Sequence, residues 1–143
     1  MPTRTATATW KGGLKTGTGE YKGQTALGGT YNFGSRFAEA AGSNPEELLA
    51  AAEAACFSMA LSGGLEKEGF SPTSVNTSAA CTIEKVGEGF KITRIVLTTT
   101  ATVPNIDDAK FQAIAQATKE GCPVSGALKG NVQIDLTAKL QSA

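Results

Sequence analysis

Residues 3–10 alternate threonine with other side chains: Thr3, Thr5, Thr7 and Thr9 against Arg4, Ala6, Ala8 and Trp10. A period of two rich in β-branched residues predicts a strand. Lys11-Gly12-Gly13 is a turn signal. Weaker strands follow over 15–22 and 24–31, so the first thirty residues read as a small antiparallel meander. From 32 to 42 the pattern lapses into a loop carrying Ser35-Arg36-Phe37. A strong helix start comes next. Asn44 is a good N-cap, Pro45 suits the first helical position, and Glu47 stands where a capping-box acid belongs. Ser43 with Glu46 offers a competing cap one residue earlier. The helix is predicted to run to about Glu68 and end at Gly69. It is apolar nearly all round, which marks a buried helix. In so short a chain, cover on several sides points to a second copy of the protein.

Two strands rich in β-branched residues are predicted over 73–86 and 89–103, with a turn at Gly87-Glu88-Gly89. Pro104-Asn105-Ile106-Asp107 leads into a helix over about 107–120, with Phe111, Ile114 and Ala115 on one face. Gly121 breaks it, and Cys122-Pro123 begins a short helical turn to about Leu128. From Asn131 to Leu140, Val132, Ile134, Leu136 and Ala138 alternate with polar residues, which gives a last strand. The order βββ-α-ββ-α-α-β indicates an α+β fold, with 1–143 forming one domain.

Charge and targeting signals narrow the function. Thirteen basic residues balance thirteen acidic ones, and the isoelectric point is near 6.3. That argues against a nucleic-acid or anionic-membrane binder. The apolar runs read as too short to cross a membrane, and Met1-Pro2-Thr3-Arg4 lacks the apolar core of a secretory signal. The expectation is a cytoplasmic protein whose three cysteines are mostly reduced, any disulfide being catalytic or transient.

The chain has no histidine. Cys-His dyads, histidine metal ligands and histidine bases are therefore absent, which leaves thiols, carboxylates and cations for any chemistry. Cys56 lies in the apolar helix, in Ala54-Ala55-Cys56-Phe57-Ser58-Met59. Periodicity alone makes it a small core residue, since an apolar setting raises a thiol pKa. A reactive Cys56 needs a cation, and Arg36 is the candidate, against the plainer reading of Arg36 as a solvated surface charge. Cys122, at a helix N-cap before Pro123, faces unpaired backbone N–H groups. By local physics it is the better nucleophile, or else simply a cap. Cys81, between Ala80 and Thr82 in a strand, reads as filler. Spacings of 25 and 41 residues between the cysteines, with no CxxC, do not make a zinc site. No glycine-rich nucleotide motif is present. Glu46 and Glu47 complement the helix dipole. Ten residues, about 15 Å of rise, separate Glu46 from Cys56 and leave them on different faces. If both serve one site, two chains must contribute to it, so an intimate homodimer with sites at its interface is expected.

The segments Asn44-Pro45-Glu46-Glu47-Leu48-Leu49-Ala50-Ala51-Ala52, Ala54-Ala55-Cys56-Phe57-Ser58-Met59-Ala60-Leu61 and Gly121-Cys122-Pro123-Val124-Ser125 together resemble the OsmC/Ohr family of thiol peroxidases. Trp10-Lys11-Gly12-Gly13, Ser35-Arg36-Phe37 and Val103-Pro104 extend the likeness over nearly the whole chain, and it is closer to the osmotically inducible OsmC branch. The resemblance implies antiparallel sheets packed around a long buried central helix, in interlocked homodimers. It implies reduction of organic hydroperoxides without metal, haem or flavin, in defence against oxidative and osmotic stress. By the same resemblance Cys56 is the peroxidatic cysteine, Cys122 the resolving one, and Arg36 and Glu46 assist. The reductant is an external dithiol, of lipoyl type in some members. This assignment reverses the local reading of which thiol attacks, because a cation beside Cys56 outweighs burial. Phe57, Met59, Phe37 and Leu48 would favour an organic substrate. Two other readings are a thiol redox sensor without turnover and a dimer that binds an apolar ligand.

Overall fold

A computed structural model of the chain describes residues 1–141. The chain divides into two compact units, Met1–Glu47 and the remainder from Leu48. In the first unit, strands β1 (Ala6–Lys11), β2 (Thr18–Gly23) and β3 (Gly28–Tyr31) form an antiparallel sheet in that order. Trp10 pairs with Gly19, and Gly19 pairs with Tyr31. The two aromatic rings lie 5.5 Å apart between centroids. A Cβ on Gly19 would come within 2.6 Å of Tyr31 and 2.7 Å of Trp10, so only glycine lets the rings meet there.

Helix α1 (Phe33–Phe37) follows, where the sequence predicts a loop. Its cause is local. The Asn32 side chain accepts from the Ser35 N–H at 2.8 Å, and the Ser35 hydroxyl accepts from the Asn32 N–H at 2.9 Å. This reciprocal capping box uses serine where glutamate or glutamine is usual, which hides it from a pattern reading.

Helix α2 (Pro45–Lys67) starts where the capping signals place it, with the Asn44 Oδ1 accepting from the Glu47 N–H at 2.8 Å. Its length and composition would suffice to cross a membrane, which corrects the expectation that no segment reaches that limit. The helix instead buries one stripe, Glu53, Phe57, Leu61 and Leu65, all 0% exposed, at a spacing of four residues. Ala51, Ala52, Ala55 and Met59 face outwards, Met59 at 81% exposure. Within the chain α2 is therefore covered on one side, not all round.

Strands β4 (Ser74–Val86), β5 (Gly89–Thr102) and β6 (Gln133–Gln141) form the second sheet. β4 and β5 are an antiparallel hairpin, with a bulge between Thr82 and Ile83. β6 lies parallel to β5, Arg94 opposite Gln133 and Thr102 opposite Gln141. The expectation of wholly antiparallel sheets is thus corrected. Helices α3 (Asp108–Gly121) and α4 (Pro123–Leu128) fill the crossover and return the chain to the end where β5 began.

The core of this unit brings Phe57, Leu61 and Leu65 of α2 against Ile95, Leu97 and Ala101 of β5 and Phe111, Ile114 and Ala115 of α3. A run of hydroxyls crosses from helix to sheet. Ser58 donates to Thr77 at 2.8 Å, and Thr77 and Thr99 share a bond of 2.9 Å. The buried Thr99 donates to the Asn76 carbonyl at 3.1 Å, so it is satisfied inside an otherwise apolar layer.

Candidate active site

The expected site residues fall into two pairs. In the first unit, α1 presents Arg36 to Glu46 in the opening turn of α2. Arg36 Nε and Nη2 both donate to Glu46 Oε1, at 3.2 and 3.0 Å. Glu46 is 5% exposed, and its other oxygen has no partner among the described residues. The guanidinium also lies over the Phe37 ring, 5.2 Å from its centroid. Two donors on one oxygen, with an aromatic face beneath, fix the orientation of Arg36 while leaving its side chain 36% exposed. It borders a cavity of about 230 Å³ lined by Trp10, Leu14, Tyr31, Phe33 and Phe37.

In the second unit, Cys56 and Cys122 meet. Their sulfurs are 2.7 Å apart, with the Cys122 thiol donating to Cys56. Cys56 is half-buried and Cys122 is 1% exposed. Cys122 stands in extended backbone between α3 and α4. Cys122 caps both helices at once, closing α3 through its N–H to the Thr118 carbonyl at 2.9 Å. Its side chain does not cap α4. The local expectation that the Cys122 thiol faces free amides is therefore corrected. It is the Val124 N–H that hydrogen-bonds to a cysteine, and that cysteine is Cys56.

Burial raises the Cys56 thiol pKa above its ordinary value. The Val124 amide opposes this, and the charge of Glu53 raises it further. A raised thiol pKa means less thiolate at neutral pH, and removing a raising group must increase it. Alkylation of Cys56 by iodoacetamide, followed on its own peptide by mass spectrometry, is therefore expected to move to lower pH in Glu53→Gln, which removes the nearby charge. A shift to higher pH would contradict this account.

Phe57 and Glu53 change the picture drawn from sequence. Phe57 is turned wholly into the core and drops out as a substrate-facing group. Glu53, which the sequence reading passed over, is fully buried beside the thiols. The Ser125 hydroxyl donates to its Oε1 in a short bond, and the Cys122 thiol approaches the same oxygen at 3.8 Å. The available signal was its spacing, since a glutamate four residues before Phe57 continues the buried series Phe57, Leu61, Leu65. Cys81, half-buried on β4, packs against the core as filler would.

Known proteins share this arrangement of chain. Residues 38–137 match the family described as OsmC-like protein. The chain belongs to the OsmC-like family. It is 45% identical over 134 residues to the peroxiredoxin OsmC of Escherichia coli strain K12, covering 92% of this chain and 94% of that protein. It is 33% identical over 99 residues to the organic hydroperoxide resistance protein OhrB of Bacillus subtilis strain 168, covering 68% and 71%. The crystal structure of OhrB from Bacillus subtilis superposes with a TM-score of 0.71 at 29% identity, covering 94% of this chain and 98% of that one. The OsmC-like match runs through both units, across the boundary after Glu47.

Proposed function

We infer that this OsmC-like chain is a cysteine-based peroxidase that reduces organic hydroperoxides to alcohols in defence against oxidative and osmotic stress. The observation that carries the cycle is the pair of sulfurs at 2.7 Å, one half-buried and one buried. In this reading the Cys56 thiolate attacks the distal oxygen of ROOH, an alcohol leaves, and Cys56 becomes a sulfenic acid. Cys122 condenses with it, forming a disulfide and releasing water. An external dithiol of lipoyl type restores both thiols by exchange. Arg36 and Glu46 assist in this reading, as the family resemblance implies, with Glu46 holding Arg36 in place. The aromatic cavity beside Arg36 supports an organic substrate over hydrogen peroxide, because an alkyl group gains from leaving water.

The outward stripe of α2, with Met59 at 81% exposure, supports a homodimer with sites at its interface. Sedimentation equilibrium is then expected to give twice the 14.6 kDa chain mass, and a single-chain mass would remove the dimer. We also take residues 1–143 as one OsmC-like domain acting in the cytoplasm.

The direct test is consumption of tert-butyl hydroperoxide by the purified protein with a dithiol. Turnover is expected, with kcat/KM above that for hydrogen peroxide. Equal values for both peroxides would defeat the selectivity, and one oxidation without turnover would make the protein a redox sensor.

A further inference from the structure

Glu53 is a carboxyl with no assigned part in the chemistry, set at 0% exposure beside the two reacting sulfurs. A lone buried carboxyl costs stability unless it is matched by donors. Two donors converge on its Oε1, the Ser125 hydroxyl and the Cys122 thiol, while Oε2 has no partner among the described residues. Three pieces of structure create this arrangement. α2 points Glu53 inward on the Phe57 stripe, the α3–α4 junction delivers Cys122, and α4 delivers Ser125.

We propose that Glu53 is the base that takes the proton of the resolving thiol during disulfide formation. This rests on the two-cysteine cycle above. In the reduced protein the Cys122 thiol has two acceptors, Cys56 Sγ at 2.7 Å and Glu53 Oε1 at 3.8 Å. Once Cys56 is a sulfenic acid, its sulfur is the electrophile and no longer a useful proton acceptor. The Glu53 oxygen is then the acceptor that remains. The proton passes from Cys122 Sγ to the Glu53 carboxylate, and the Cys122 thiolate attacks the Cys56 sulfur. The S–S bond forms as the S–OH bond breaks. The departing hydroxide takes the proton back from Glu53 and leaves as water. Two sulfur atoms have become a disulfide, one water has been released, and Glu53 ends as it began.

The placement also explains why the carboxylate stands off Cys56. Its charge disfavours the Cys56 thiolate, so it serves the second step at some expense to the first. The groups facing Glu53 are the Ser125 hydroxyl from α4, the Cys122 thiol from the junction and the Cys56 thiol from its own helix.

The test separates the two steps by rapid quench of the reduced protein with tert-butyl hydroperoxide, reading sulfenic acid as its dimedone adduct and disulfide by mass. In Glu53→Gln, sulfenic acid is expected to form at least as fast as in the parent, while disulfide formation slows by about a hundredfold, the usual worth of a positioned base. Between pH 6 and 8 the condensation in Glu53→Gln is expected to climb close to tenfold per pH unit, and in the parent distinctly less. Equal condensation rates in the two proteins would overturn the role of Glu53 while leaving the cycle intact. So would a tenfold-per-unit climb in the parent, a readout that does not depend on the variant folding. A parent that forms neither sulfenic acid nor disulfide would overturn the cycle itself, and this role with it.

Discussion

Cys56→Ser is expected to bring consumption of tert-butyl hydroperoxide down to the uncatalysed rate, a loss on the order of 10³-fold or more. The argument starts from the sulfur. A thiolate is a strong nucleophile towards a peroxide oxygen, and a serine hydroxyl at the same place stays protonated and unreactive. The substitution is nearly isosteric on a half-buried face of α2, so the fold and the Val124 amide that addresses this position should remain. Steady-state assays at saturating dithiol, with circular dichroism to confirm folding, measure it. Cys122→Ser should behave differently. Its first oxidation proceeds, and the sulfenic acid on Cys56, with no thiol to condense with, is carried on to the sulfinic acid. Activity that survives in Cys56→Ser and disappears only in Cys122→Ser would exchange the two roles.

The second large effect concerns the neighbouring residue. Phe57→Ala is expected to destabilise the protein by about 3–5 kcal/mol, a lost aromatic transfer term plus an unfilled cavity. Phe57 is 0% exposed and sits in the core that α2 shares with β5 and α3, beside the equally large Phe111. Urea unfolding of parent and variant at one fixed protein concentration gives the difference, the fixed concentration removing any contribution from association. A loss below about 1 kcal/mol would mean that the site collapses around the missing ring. Cys56 and Phe57 are adjacent in sequence, yet one step of about 100° around the helix separates a reacting atom from a packing one.

The parts of this fold that could be read from sequence are those with local causes. Asn44 and Pro45 state the start of α2, Gly87 and Glu88 state the β4–β5 turn, and Ile134, Leu136 and Ala138 alternate along β6. What could not be read depends on partners distant in sequence. The direction of β6 follows from how α3 and α4 pack, not from its own residues. Helix α1 was hidden by the unusual serine in its capping box. The general apolarity of α2 concealed that only one stripe enters the core of the chain, while Ala51, Ala55 and Met59 stay outside. For the site, the motifs named Cys56, Cys122, Arg36 and Glu46. They did not reveal that α4 turns a backbone amide towards Cys56, or that Ser125 and Cys122 converge on Glu53. Those contacts join residues 66 to 72 positions apart, where no local pattern operates.

If the proposed cycle holds, the unequal burial of the two sulfurs gives the oxidised protein a front and a back. Cys56 is half-buried, whereas Cys122 is 1% exposed. Attack on a disulfide proceeds in line, through a mixed disulfide on whichever sulfur the incoming thiolate can reach. Here that sulfur is Cys56, so Cys122 is the leaving group and departs inward, towards Ser125 and Glu53. The regiochemistry of recovery is thus written into the depth of the two side chains, and an incoming reductant needs no recognition of its own to choose between them.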